Sequence, residues 1–190
     1  MDPDEPRVQP ADATEWRAWL DEHHETATAV WLVSWRRHTG HPTVAYDDAV
    51  TEALAVGWID SQAKRLDEDR TMQRYTPRRP TSGWSGLNKQ RVARLEAEGR
   101  MGAAGRTVIE VAKANGTWTL LDDVENLVVP DDLAAALEEH AGAQEAWEAF
   151  PRSAKIQMLH WIVTAKRPET RRARVAEIAE KAGRGERARG

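Results

Sequence analysis

Tryptophan is the residue type that most constrains how this chain can fold. The sequence contains nine tryptophans, against two tyrosines and one phenylalanine. A buried tryptophan fills a large volume, and its indole N–H needs a hydrogen-bond acceptor once water has been removed. Because a single phenylalanine cannot build an aromatic core, the tryptophans must supply most of it.

Length and composition exclude several classes of protein. The 190 residues fit one domain, or one domain with an appended part. The absence of cysteine excludes disulfides, thiolate zinc sites, iron–sulfur clusters and a catalytic thiol. No stretch approaches the roughly 20 consecutive apolar residues of a membrane span. Residues 1–14 are acidic and proline-rich, unlike a signal or transit peptide, so we expect a cytoplasmic protein.

The charge alternates in four blocks along the chain. Residues 1–69 carry a net charge of −9, residues 70–106 carry +7, residues 107–151 carry −9 and residues 152–190 carry +7. This pattern has two interpretations. The acidic and basic segments pack against each other, or the basic segments form a surface that attracts an anion, a phosphate or a nucleic acid.

The first half of the chain predicts a small sheet with helices. A helix begins near Asp12 or Thr14, either of which can cap it. Asp47 is expected to cap a second helix, and Gly57 suits the left-handed position at its end. Apolar and alternating runs predict three strands, at residues 30–35, 58–66 and 71–76.

The predicted fold class is α+β: a small N-terminal β-sheet with a strand–helix–hairpin unit, followed by a mostly helical C-terminal half. Residues 1–11 are expected to be a disordered lead, and residues 12–118 an α+β core containing the sheet. Residues 119–183 are expected to be a helical module packed on that core as one compact unit. Residues 184–190 are expected to be a frayed tail.

Several motifs together resemble one known family, the YdeI/OmpD-associated or bacteriocin-protection family. The motifs that carry the resemblance are Val30-Trp31-Leu32, Tyr46-Asp47-Asp48-Ala49, Gly57-Trp58-Ile59-Asp60, Gln73-Arg74-Tyr75-Thr76-Pro77-Arg78, Trp84-Ser85, Asn88-Lys89 and Ala165-Lys166-Arg167-Pro168-Glu169-Thr170-Arg171. The resemblance covers about residues 14–182. It implies defence against cationic antimicrobial peptides and, in some members, association with an outer-membrane porin, but no settled reaction.

The segment from 58 to 89 predicts a ligand-binding cleft for a small anion. Arginine makes planar, bidentate contacts with carboxylate and phosphate groups, and a helix beginning near Ser85 offers free backbone N–H groups. Whether Arg78 or Arg79 faces the cleft is not set by periodicity. The predicted ligand-binding residues are Trp58, Asp60, Arg74, Arg79, Trp84 and Lys89. In the alternative interpretation, Asp60 only pairs with Arg74, and the two tryptophans only pack the core.

Two further functions stay open at this point. In a small cofactor-independent enzyme, Asp60 would act as general base, with Arg74 and Arg79 stabilising charge. In an RNA or single-stranded DNA binder, the interleaved basic and aromatic residues from Arg70 to Arg79 would contact the strand. The sequence pI of about 5.9 argues against nucleic acid as a partner. A protein partner is possible.

Neither a metal nor a cofactor is predicted. His38-x-x-His41 falls in a predicted turn, without the helical spacing of a metal-binding pair. The sequence contains no glycine-rich nucleotide fingerprint and no phosphate-binding loop.

Overall fold

The computed structural model describes residues 5–188, which form two compact units. The first unit comprises Met1–Ser82 and Leu87–Trp118, and the second comprises Gly83–Gly86 and Thr119–Gly190. The first unit contains the sheet and the second is helical, so the α+β fold class is confirmed.

The strand–helix–hairpin unit is present where the sequence predicts it. After α1 (Ala13–His23), strand β2 (Val30–Trp35) leads through a short 3₁₀ turn to α2 (Tyr46–Ala55). The hairpin β3 (Trp58–Arg65) and β4 (Arg70–Pro77) follows directly. The remaining helices are α3 (Gly86–Ala97), α4 (Ala103–Ala114), α5 (Asp122–Glu125), α6 (Asp131–Glu138), α7 (Ala143–Ala149), α8 (Arg152–Val163) and α9 (Pro168–Gly183).

The sheet has the order β1-β2-β4-β3, where β1 is Arg7–Val8 and β4 lies between its two antiparallel partners. Against β2, Trp31 lies opposite Arg74, and against β3, Asp60 lies opposite Tyr75. The β3–β4 register is irregular between Asp60 and Ala63. Since side chains alternate along a strand, the side chains of Asp60 and Tyr75 lie on one face of the sheet. The side chain of Arg74 lies on the opposite face.

The expectation of a disordered lead over residues 1–11 is not met in its described part. Arg7 and Val8 form β1, which pairs in parallel with Trp31 and Leu32. The backbone N–H of Trp31 also donates to the carbonyl of Pro6, at 2.9 Å. This short pairing supplies partners for backbone groups that an edge strand would otherwise expose. Residues 1–4 of the predicted lead lie outside the described residues.

Tryptophans supply most of the aromatic core, as predicted. The buried tryptophans are Trp16, Trp31, Trp58, Trp84 and Trp147. In the first unit, the indole N–H of Trp16 donates to the carbonyl of Ala49, at 3.0 Å. The indole of Trp58 donates to the carbonyl of His24, at 3.3 Å. These bonds tie α1 to α2, and β3 to the end of α1.

The second unit has its own apolar core. Its helices bury the residues Leu133, Leu137, Trp147, Met158, Leu159, Ile162 and Ile178. The last helix ends at Gly183, where the frayed tail is expected to begin. Within that tail, Ala188 is buried against this core, and residues 189–190 lie outside the described range. Over residues 5–188, no helix combines the length and the apolar character that crossing a bilayer requires.

The predicted N-cap residue is found at α1 but not at α2. The side chain of Asp12 accepts hydrogen bonds from the backbone N–H groups of Thr14 and Glu15 and caps α1, as predicted. Asp47 does not cap α2, whose N-cap position is Ala45. The carboxylate of Asp47 binds Arg91 of α3 instead, and this long-range ion pair overrides the local capping preference.

Two glycines allow α2 and α4 to approach each other closely. Gly57 has φ of 80°, in the left-handed region that the sequence predicts for it. In α4, an added Cβ at Gly105 would lie 2.5 Å from the carbonyl oxygen of Ala55 and 2.7 Å from the sulfur of Met101. The backbone oxygen cannot move without shifting the end of α2.

We expect Gly105→Ala to destabilise the protein by about 1–3 kcal/mol, because overpacking against a backbone carbonyl outweighs the higher helix propensity of alanine. Thermal unfolding followed by circular dichroism measures the change. Thr107→Ala, at an exposed position of the same helix, is the control and should stay within about 0.5 kcal/mol of the parent. A rise in stability for Gly105→Ala would contradict the packing argument.

Candidate ligand-binding groove

An open groove of about 930 Å³ lies beside β3 in the first unit. Three segments line it: the loop after α1, the first half of β3, and the end of β4 with the loop that follows. Its lining residues are His24, Glu25, Thr26, Ala27, Thr28, Ile59, Asp60, Ser61, Gln62, Arg74, Thr76, Pro77, Arg79 and Ser82. The lining is mainly polar, with two arginines among several hydroxyl groups.

The structure brings three of the six predicted ligand-binding residues to this groove: Asp60, Arg74 and Arg79. Trp58 is only 1% exposed and belongs to the core. Lys89 does not line the groove; its amine lies 5.4 Å from the ring centroid of Trp118.

Trp84 belongs to the second unit, where it is buried. The backbone N–H of Gly86 in the same short segment donates to the carboxylate of Glu125, at 2.9 Å. This hydrogen bond links the segment 83–86 to the rest of the second unit, so its role there is structural.

Asp60 and Arg74 do not form the ion pair considered in the sequence analysis, because their side chains leave opposite faces of the sheet. The Oδ2 atom of Asp60 accepts a hydrogen bond from the phenol of Tyr46, at 2.8 Å. The same atom accepts one from the amide of Gln73, at 3.4 Å. Register, rather than sequence distance, decides which charges can meet.

Arg74 holds a carboxylate from the start of the chain. Its Nε donates to both oxygens of Glu5, at 3.1 and 2.9 Å, and its Nη2 donates to Oε1, at 2.5 Å. The indole N–H of Trp31 also donates to Glu5, at 2.8 Å. The hydrogen bond from Arg74 holds the pKa of the Glu5 carboxyl below its ordinary value, although burial opposes this effect.

Arg79, and not Arg78, lines the groove. Arg79 is exposed, and its guanidinium forms no ion pair within the described part of the chain. Arg78 is buried, and this burial lowers its pKa to about 10, while the charge of Asp60 opposes the shift. The two adjacent arginines therefore differ in what they can offer a ligand.

Two tyrosines next to Asp60 were missed as functional residues by the sequence analysis. Tyr46 starts α2 and reaches Asp60 across fourteen positions of sequence. Burial raises the pKa of Tyr46, and the hydrogen bond to Asp60 adds to the shift. Tyr75 is fully buried; burial raises its pKa, as does the charge of Asp60. The only available signal was their presence in the family motifs, since nothing local pairs them with Asp60.

Arg91 of α3 holds the start of α2, the helix that carries Tyr46. Its guanidinium donates to Oδ1 of Asp47 through Nε, at 3.0 Å, and through Nη2, at 2.6 Å. It also donates to the side-chain oxygen of Asn88, at 2.6 Å. Hydrogen bonding to Arg91 lowers the pKa of Asp47. Because Tyr46 is the neighbour of Asp47, this anchor also sets the position of the phenol that binds Asp60.

The described residues contain no cluster of three or more histidine, aspartate or glutamate side chains that could hold a metal ion. His38, one of the two turn histidines, contacts Asp69 at 3.1 Å. The groove lining presents hydroxyl, carboxylate, imidazole and guanidinium groups.

Two family models match the chain. One, described as a domain of unknown function (DUF8412), matches residues 8–108, and the groove lies within this range. The other, described as bacteriocin-protection, YdeI or OmpD-associated, matches residues 126–185. The predicted resemblance is thus confirmed in the C-terminal part, whereas most of its N-terminal motifs lie in the range of the first model. Neither a curated protein nor a solved structure matches the chain.

The ion pair of Glu5 predicts a pH dependence of stability. A carboxyl whose pKa is lowered in the folded state stabilises the fold above its unfolded value of 4.5, and loses this contribution as pH falls through the folded value. We expect Glu5→Gln to destabilise the protein by about 1–2 kcal/mol at neutral pH, and by progressively less at acidic pH. Urea unfolding over a pH series measures the difference. Glu22→Gln, at a side chain that is 78% exposed, is the control, and a pH-independent difference for Glu5→Gln would contradict the ion-pair account.

Proposed function

The chain belongs to the DUF8412 family, and we propose that this member binds a small anionic molecule in the groove beside β3. The observation that carries the proposal is the state of the two groove arginines. The guanidinium of Arg79 has no acidic partner among residues 5–188, and that of Arg74 already binds a carboxylate. A guanidinium exposed in a polar groove is a good donor for carboxylate or phosphate oxygens.

Glu5 supports the choice of an anion as ligand. Its carboxylate receives a bidentate contact from Arg74 and a third hydrogen bond from Trp31. These three donors form a carboxylate-binding arrangement, and its present occupant comes from the chain itself. An incoming anion therefore has two modes of binding: it binds Arg79 alone, or it also displaces Glu5 from Arg74.

The second family description supports placing this binding in a protective role. The model that matches residues 126–185 carries the words bacteriocin-protection. We propose that anion binding by the first unit serves such a stress-protection function.

Catalysis by Asp60 is the second candidate function, and one observation favours it. Hydrogen bonds from Tyr46 and Gln73 orient the Asp60 carboxylate at the groove, as an enzyme orients a general base. In a cofactor-independent enzyme, Asp60→Asn would abolish turnover while ligand binding survives. In a binding protein, the same change would keep or improve affinity for an anion.

Nucleic-acid binding receives less support from the geometry. Tyr75 is fully buried and cannot stack on a base. Arg70 binds Asp67 at 2.6 Å, and Arg74 binds Glu5. Of the segment that suggested a strand-binding surface, Arg79 is the residue left to contact a phosphate.

We expect Arg79→Ala to weaken binding of a groove anion by about 10-fold to 100-fold, the effect of losing a charged hydrogen bond. A thermal-shift panel of phosphate, sulfate, nucleotides, organic acids and short oligonucleotides identifies the anion, since a ligand specific for the folded state raises the melting temperature. Arg37→Ala removes another exposed arginine that forms no ion pair with residues 5–188 and does not line the groove, and should leave the shift unchanged.

The outcomes separate the candidates. A shift with one small anion that is lost in Arg79→Ala or Arg74→Ala supports the binding groove. Affinity for oligonucleotides that falls steeply with salt would favour nucleic acid instead. The absence of a shift with every compound would contradict anion binding in this groove.

We expect Glu5→Gln to tighten binding of an anion that reaches Arg74, because the competing internal carboxylate is gone. The affinity gain, measured by titration calorimetry, should be about tenfold at neutral pH and should shrink as Glu5 of the parent protein becomes protonated at acidic pH. Equal affinities of parent and variant would show that the ligand binds without displacing Glu5.

A further inference from the structure

The Asp60 carboxylate uses only one of its two oxygens inside the protein. Oδ2 accepts hydrogen bonds from Tyr46 and Gln73. Oδ1 accepts no hydrogen bond from any residue in the range 5–188. The carboxylate is thus held in one orientation, and its second oxygen, Oδ1, is left as a hydrogen-bond acceptor. Asp60 itself lines the groove.

The strand irregularity begins at this residue. Asp60 pairs with Tyr75 and Ala63 with Gln73, so Ser61 and Gln62 together face the single residue Arg74. The hydroxyl of Ser61 donates to the carbonyl of Arg74, at 3.3 Å. Such bulges bend an edge strand and re-aim its side chains, and they are common next to binding sites. Here the extra residue lies in the stretch of β3 that lines the groove.

A second polar group, on the neighbouring strand β4, lacks a hydrogen-bond partner among the described residues. The phenol oxygen of Tyr75 is buried and makes no hydrogen bond within the described residues. Tyr75 is the cross-strand neighbour of Asp60 on the same face of the sheet. Buried hydroxyl groups in proteins are nearly always hydrogen-bonded, to protein, to ordered water or to a ligand. Tyr75 is thus an unsatisfied polar neighbour of Asp60 in the sheet, although it does not itself line the groove.

The chemistry of these groups specifies what they can bind. An ionised carboxylate only accepts hydrogen bonds, and it repels another anion. A simple anion at Arg79 would gain nothing from Asp60. A ligand that carries a hydroxyl or ammonium group at its other end would donate a hydrogen bond to Oδ1 of Asp60.

Building on the proposed function, we propose that the groove ligand is a small acid that also carries an amino or hydroxyl group, which Asp60 binds. The anionic group of this ligand binds Arg79, and its donor group binds Asp60. Tyr46 is a positioning residue, because it holds the carboxylate without facing the ligand oxygen. Amino acids and hydroxy acids are the classes that fit.

Matched series of acids test this proposal on the full chain. Each series keeps one carbon skeleton and compares the plain acid, the hydroxy acid and the amino acid: succinate, malate and aspartate, or phenylpropionate, phenyllactate and phenylalanine. Titration calorimetry gives the dissociation constants. For the skeleton that binds, we expect the hydroxy or amino acid to bind about tenfold more tightly than the plain acid.

Variants of Asp60 locate the source of the preference. Asp60→Asn and Asp60→Ala should reduce it to about twofold or less, while the plain acid binds as well as before or better. Tyr46→Phe removes only a hydroxyl group, and should reduce the preference without abolishing it. Circular dichroism and melting temperature confirm that each variant is folded, and Asp60→Asn provides the test if Asp60→Ala fails to fold.

Each outcome decides between the two proposals. Plain acids that bind through Arg79 as tightly as their hydroxy and amino counterparts would overturn this inference and leave anion binding intact. A preference that survives both Asp60 variants would overturn the assignment to Asp60. If no acid of either series binds, this inference fails, and the proposed function fails with it only when phosphate, sulfate and nucleotides also give no thermal shift.

Discussion

The antiparallel pairing of β4 with both β2 and β3 is the interaction on which the first unit depends. Because β4 is central, Tyr75 and most residues of its middle part have cross-strand partners on two sides. Its alternation sends Tyr75 into the core beside Asp60, and Arg74 to the opposite face beside Glu5. One strand therefore supplies both a buried phenol and a surface guanidinium, and the groove lies beside the end of β4 and the first half of the bulged edge strand β3.

Features with a local cause could be predicted from the sequence. The strands follow from apolar and alternating runs, the N-cap at Asp12 from its side chain, and the turn at Gly57 from its freedom to adopt positive φ. Asp47 was assigned a local role that it does not have, since Arg91 lies 44 positions away and no periodicity links them. Strand β1 was missed because two residues carry no periodic signal.

The candidate site was predictable by residue type but not by geometry. Asp60, Arg74 and Arg79 reach one groove, yet the pairing of their charges depends on register, on a bulge and on a carboxylate from residue 5. Trp58 has a side chain that is typical of binding sites, but this side chain is buried in the core. The direction of adjacent loop arginines is likewise a tertiary property, and here burial separates Arg78 from Arg79.

The discontinuity of the second unit has a consequence for how the chain reaches its native state. The second unit consists of residues 83–86 and 119–190. The two ends of the intervening segment, residues 87–118, must therefore come together before this unit is complete. The backbone contact of Gly86 with Glu125 can form only after this closure, whose entropic penalty grows slowly with loop length. Non-local closure of this kind raises contact order and slows folding. During synthesis, residues 119–190 emerge after residues 87–118, and they complete a unit whose first residues, 83–86, were made earlier.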